Sequence, residues 1–298
     1  MATLVIMAAG LASRYGGAKQ IEKVGPSGEI LMEYTIHDAQ RAGFDHFVIV
    51  LQPGMLEDFK EVCGNRLEKK VNVDYAFQSY DALPAWYTVP EGRTKPYGTV
   101  PAVLSGKDVI RDRFAVVNAD DYYGPGAYTL MYETLQALPE TGAACMVAYK
   151  LKNTVSDFGT VTRGVCSLSG GKMTAVEETF KIGKAPDGSI RSYYTSDEGE
   201  ELDRESAVSM NFWGFTPEYF EVAEKYLSDF LASPEGDPIK KECLLPALVD
   251  TQMHKAGLKV EVLSTDAVWF GVTYKEDKAY VTGELKKLHD AGVYPATL

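Results

Sequence analysis

Along the first half of the chain, short uninterrupted apolar runs alternate with longer stretches in which apolar positions recur every three or four residues. "TLVIM" (3–7), "HFVIVL" (46–51), "VNVDYAFQ" (71–78), "FAVVNAD" (114–120) and "AACMVAYKL" (143–151) predict strands. The intervening stretches 30–44, 55–67, 99–110 and 126–138 predict helices. Strand and helix in strict alternation imply a mostly parallel sheet covered on both faces, and the runs agree, because a strand buried on both sides loses its polar half. The expected fold is a three-layer α/β/α sandwich on a mostly parallel, Rossmann-like sheet.

Past residue 155 the pattern shifts to shorter, more polar strands such as "FGTVTRG" (158–164) and "AVSMNFWGF" (207–215). Helices near 217–231 and 241–256, an alternating strand "LKVEVL" and a charged helix over 274–292 complete it. No internal repeat is visible. The chain reads as one domain over 1–298 with two lobes, 1–155 and 156–298. The segment 79–96, with Trp86, Tyr87, Arg93 and Lys95, is long for a plain connection and is expected to be a lid, with a packed surface loop as the alternative.

Charge narrows the function. With 42 acidic against 30 basic residues, a net charge of -12, the chain lacks the clustered cations that a phosphate backbone rewards, so no nucleic-acid partner is expected. A small anionic ligand would need locally placed cations or a metal. The four cysteines form no close pair, which predicts buried thiols in a reducing, cytoplasmic setting. No lysine or arginine precedes the apolar opening run, which argues against a secretory leader. No run approaches the roughly 20 apolar residues of a membrane span, so no membrane partner is expected either.

Two places carry chemistry. The first is "MAAGLASRYGGAKQ" (7–20), at the point where the first strand turns toward a helix, the edge at which such sheets bind ligands. A dinucleotide fingerprint fails at Ala12 and Tyr15. A P-loop fails because Gly10 and Gly16 enclose five residues and Gln20 follows Lys19. What remains is a loop whose amides can wrap a phosphate chain, with the Ser13 hydroxyl and two cations, Arg14 and Lys19. The alternative is a glycine-rich turn with surface charges. The second place is Asp120 and Asp121, two carboxylates at the tip of a buried strand, a donor set that suits magnesium. A turn or helix-cap role is the alternative there.

These residues resemble the signature of the nucleotidyltransferase superfamily, sugar-1-phosphate nucleotidyltransferases in particular. That loop runs G-x-G-[ST]-R, a spacer, then lysine. Gly10, Ser13, Arg14 and Lys19 match it, with Ala12 in place of the middle glycine and Ala18 in place of a proline. The resemblance implies that Ala9, Gly10 and Ser13 hold a nucleoside triphosphate while Arg14 and Lys19 offset charge at the reacting phosphorus. It also implies that Asp120, with Asp121 as the second candidate, binds Mg²⁺. "GTVPA", from Gly98 and Thr99, resembles the base-reading G-T-x-x-A of uridylyl- and thymidylyltransferases, with Gln78 before it, which favours a pyrimidine. In the second lobe Gly159, Glu177 and Asn211 fall in the order of the sugar-contacting segments, which makes them the candidate acceptor residues. "WFGVTYKED" resembles W-x-D-x-G-T, but Gly271 stands where the aspartate belongs, which leaves Asp266 or the phosphates themselves to complete the metal site.

The implied reaction is Mg²⁺-dependent transfer of a nucleoside monophosphate to a small phosphorylated acceptor, a sugar 1-phosphate, with release of pyrophosphate. Two other classes use a similar sheet: a catalytically silent nucleotide-binding or regulatory protein, and a glycosyltransferase consuming a sugar nucleotide.

Overall fold

A computed structural model describes residues 2–10, 22–272 and 274–298. The chain runs β1 (Thr3–Met7), α1 (Leu31–Ala42), β2 (His46–Leu51), α2 (Leu56–Phe59), α3 (Asn65–Leu67), β3 (Val73–Phe77), α4 (Thr99–Leu104) and β4 (Phe114–Asn118). It continues through β5 (Asp121–Tyr122), α5 (Pro125–Ala137), β6 (Ala143–Lys150), β7 (Val161–Ser169), β8 (Lys172–Lys184), β9 (Ile190–Ser192) and β10 (Glu200–Leu202). It ends with β11 (Ala207–Phe215), α6 (Tyr219–Ala232), α7 (Leu245–Ala256), β12 (Lys259–Thr265), β13 (Phe270–Gly271) and α8 (Asp277–Asp290).

Strands β3, β2, β1 and β4 are parallel and alternate cleanly between two cores. Leu4, Ile6, Phe47, Ile49, Ala115 and Val117 face one, with α1 and α5. Val5, Val48, Val50, Phe114 and Val116 face the other, with α4, α6 and α7. This is why the runs are uninterrupted: each strand residue meets apolar neighbours on one face or the other.

The sheet is not mostly parallel, which corrects the expected sandwich. It is a mixed α/β sheet of eleven strands. β11 enters antiparallel between β4 and β6, and β6, β11, β7, β8 and β12 close into a five-strand ring. The cause lies in the connection. β7 and β8 are long antiparallel neighbours joined at Gly170–Gly171, both with positive φ, so the second half grows by a hairpin and not by helical crossovers.

The end of the segment 79–96 is anchored as a packed surface loop. Arg93 is buried, stacks 3.6 Å from the Tyr97 ring, and donates to the carbonyls of Lys95, Pro96, Pro238 and Lys241. Lys95 pairs with Glu242 at 2.8 Å. All four cysteines are buried and unpaired, and among the described residues no helix is long and apolar enough to cross a membrane.

Candidate active site

The parallel register sets Met7 opposite Asn118, and the amide of Ala119 donates to Met7 O at 3.2 Å. The chain therefore leaves β1 and β4 at the same level and on adjacent lines. On one line, the Ala8 amide donates to Val50 O at 2.8 Å and the Gln52 side-chain amide to Ala9 O at 2.6 Å, which fixes the exit of β1. Gly10 is exposed there. Ser13, Arg14 and Lys19 lie outside the described residues.

On the other line are Asp120, partly exposed, and Asp121, buried. Asn118 Nδ2 donates to Asp121 Oδ2 at 2.8 Å. Beneath it, the Tyr123 hydroxyl accepts from the Asn118 amide and donates to Met210 O at 2.8 Å. Tyr123 is fully enclosed, and burial pushes its phenol well up, so it remains a donor at any working pH.

β5 pairs antiparallel with β13, and the register places Gly271 directly opposite Asp121. A Cβ on Gly271 would lie 2.7 Å from Asp121 Oδ1 and 2.8 Å from Asp120 O. The Asp121 carboxylate thus fills the space that a side chain at 271 would need. Asp266, the other candidate for completing the site, points into solvent at 85% exposure and pairs with Lys150 at 2.7 Å, a bond that holds its carboxyl below the usual range. It takes no part in this cluster.

Two adjacent carboxylates at one strand end fit magnesium, which takes one or two of them and keeps its other positions for water and phosphate oxygens. Among the described residues no group of three or more metal-binding side chains gathers, as a closed all-protein cage would require.

A cleft of about 210 Å³ opens beside the β1 exit, lined by Gln52, Gln78, Tyr80, Leu83, Tyr97 and Pro101. Gln78 follows β3 and donates to Gly98 O at 2.9 Å, which joins the cleft to the start of α4. Gly98 has φ +98°, and a Cβ there would lie 2.7 Å from Cys243 O, so only glycine fits. Thr99 Oγ1 accepts from the Leu245 amide at 2.8 Å. The Gly-Thr pair therefore seats α4 against the start of α7 and frames the cleft.

The family model for Nucleotidyl transferase matches residues 4–269. The chain belongs to this family. It is a nucleotidyltransferase, and no curated protein matches it in sequence. Among solved structures it is similar to a putative glucose-1-phosphate thymidylyltransferase from Bacillus anthracis in complex with a sucrose, at TM-score 0.63 and 13% identity, covering 96% of each chain. It is also similar to the inositol-1-phosphate CTP transferase of T. maritima, at TM-score 0.60 and 14% identity, again covering 96% of each. A third is a UDP-glucose pyrophosphorylase complexed with UDP-glucose, at TM-score 0.61 and 19% identity, covering 96% of this chain and 99% of that one. At these identities the likeness establishes the fold.

The second half of this nucleotidyltransferase adds three further candidate side chains, Asn211, Glu178 and Arg163, and only Asn211 stood among the expected residues. Asn211 sits at a bulge in β11 with φ +60°, an unusual backbone for a strand residue, and its buried Oδ1 finds no partner among the described atoms.

Glu177 is exposed on β8, whereas Glu178, opposite Gly164, shares the inward face of Val176. Burial raises the Glu178 carboxyl to about 7 against the pull of Arg163, with Glu242 adding to the rise. Arg163 is buried on β7, donates to Thr154 O and Thr162 O, and stacks 4.4 Å from the Trp269 ring. Burial pulls it down to about 10, offset by Asp121, Tyr123, Glu178 and Asp120, so it stays a cation.

The cue for Arg163 was one charge in an otherwise apolar "VTRGV". The cue for Glu178 was its two-residue spacing from Val176. At Gly159 a Cβ would lie 2.6 Å from the Tyr274 ring, so the position takes no side chain.

Proposed function

We propose that the protein transfers a nucleoside monophosphate from a nucleoside triphosphate, with a pyrimidine base favoured, to a small phosphorylated acceptor of the sugar-1-phosphate class. The reading is carried by one observation. The exit of β1 and the carboxylates Asp120 and Asp121 lie at the same level of adjacent parallel strands, with a base-sized cleft on one side and the strained Asn211 strand on the other. Family membership sets the reaction type. Two of the three similar structures are named for glucose-1-phosphate and inositol-1-phosphate and the third for UDP-glucose, which favours the acceptor class.

In this reading an acceptor phosphate oxygen attacks the α-phosphorus in line. A new P–O bond forms, the bond to the β-phosphate bridging oxygen breaks, and pyrophosphate leaves with that electron pair. Ala9, Gly10 and Ser13 hold the triphosphate, and Arg14 and Lys19 offset charge on it. Gln78, Gly98 and Thr99 shape the base cleft. Asp120, with Asp121 behind it, would hold Mg²⁺, which when bound neutralises charge on the phosphates. Asn211 and Glu178 face the acceptor. Two anions must be brought together, so positioning and charge offset supply most of the rate.

The test is incubation with each nucleoside triphosphate, Mg²⁺ and a panel of phosphorylated sugars and alcohols. Acceptor-dependent pyrophosphate release is expected, strongest with UTP, dTTP or CTP. Nucleotide binding without release, or consumption of a sugar nucleotide instead, would overturn the proposal.

A further inference from the structure

We propose that α8 and the tail behind it form a positioning element for the transfer site, with Tyr294 as the residue that ties it to the carboxylate strand. This rests on the reading of Asp120 and Asp121 as metal ligands. The β5/β13 ribbon that carries Asp121 has only two residues in each strand. A ribbon so short has too little pairing to hold its own geometry, so something outside must hold it.

That support is a buried cluster separate from the two faces of the main sheet. It includes Val24, Tyr34, Tyr122, Phe270, Val281 and Tyr294. Tyr122 and Phe270, the residues next to the registered pair Asp121 and Gly271, stack with centroids 4.3 Å apart and planes 6° from parallel. The Tyr294 hydroxyl lies 2.6 Å from Asp38 Oδ2 on α1, to which it donates, and 2.8 Å from the Tyr122 hydroxyl. A phenol has one proton, so Tyr122 donates to Tyr294. The result is a buried relay from α1 through the tail to the ribbon.

The same element also reaches the far side of the candidate phosphate loop. Lys278 on α8 pairs with Glu22, and Ser27 Oγ donates to Ala296 O in the tail at 3.1 Å. Tyr34 OH and His289 Nε2, 2.8 Å apart, form a second link between α1 and α8. One C-terminal unit therefore touches both the chain leaving the loop and the strand bearing the carboxylates, and it can fix the distance between them.

The test uses full-length Tyr294→Phe, Tyr122→Phe and the double variant, each of which keeps its ring packing. In metal-free protein, amide exchange over 120–123 and 270–272 is expected to quicken about tenfold while β1 and β2 are unchanged. Mn²⁺ affinity, read by EPR with the ion alone, is expected to fall about tenfold, the scale of a lost supporting contact. Tyr294→Phe also removes the bond to Asp38, so the double variant should be no worse than Tyr294→Phe alone, because both lose the Tyr122–Tyr294 bond. A merely structural tyrosine would lower Tm and leave Mn²⁺ affinity and the pattern of exchange as in wild type, and that result would overturn the proposal. Wild-type protein that binds no Mn²⁺ sinks the metal reading instead, while the exchange at 120–123 still decides whether Tyr294 holds the ribbon.

Discussion

Replacing Gly271 by alanine tests the geometry at the carboxylates most directly. The added methyl would sit 2.7 Å from Asp121 Oδ1, 2.8 Å from Asp120 O and 2.8 Å from Trp269 Cζ2, about 0.7 Å inside ordinary contact at the closest point. Backbone and a hydrogen-bonded carboxylate bound the space, so the ribbon has to open or Asp121 has to turn away from Asn118. Overpacking of this kind costs about 1–3 kcal/mol. For a chain of this length that is a fall in Tm of roughly 2–5 °C.

The larger effect falls on function. A displacement approaching 1 Å at a site that works by positioning costs up to about 100-fold in rate, so a loss of roughly 10- to 100-fold in turnover is expected. The assay is acceptor-dependent pyrophosphate release across a Mg²⁺ titration, with Tm from calorimetry. Gly126→Ala is the control: it lies near the start of α5 with nothing within 4 Å of its Cβ, and should leave both readouts unchanged or raise Tm slightly. If Gly271→Ala matches wild type in turnover, metal dependence and Tm, the close opposition of residues 121 and 271 is wrong.

Three further outcomes are expected. Lys19→Ala and Asp120→Ala should each lower turnover about 100- to 1000-fold with unchanged circular dichroism, the usual consequence of removing one placed charge donor; near-normal turnover in either would remove its role. Glu178 has a folded pKa near 7, above its unfolded value, so its protonated form favours the fold at low pH and that contribution is lost as pH rises from about 4.5 through 7. Glu178→Gln should therefore gain in Tm relative to wild type between pH 5 and pH 8, and an equal Tm difference at both would contradict the buried setting. Asn211→Gly removes both the left-handed strain and the unused buried oxygen, so it should hold or raise Tm while raising the acceptor KM; a fall in Tm with unchanged KM would make Asn211 a structural residue.

What the sequence makes legible here is chemistry that is local. β1, β2 and β4 read clearly because both faces of each are covered, and the two carboxylates at 120 and 121 mark where the apolar run of β4 ends. Direction is different. "AVSMNFWGF" is an equally good strand run parallel or antiparallel, and only the β7–β8 hairpin before it decides that β11 enters antiparallel and closes the ring. Face is different too. Of two neighbouring glutamates one must point inward, and the register with Gly164 selects Glu178, whereas likeness to a motif selects Glu177.

Gly271 shows the limit most sharply. Read along the chain it is a missing aspartate. Read across the ribbon it is the vacancy that lets Asp121, 150 positions earlier, place its carboxylate there, and no pattern within either segment carries that information. A one-residue change of register would set a different residue against Asp121 and remove the fit, which is why this site depends on whatever holds the ribbon and not only on the residues that would touch the ion.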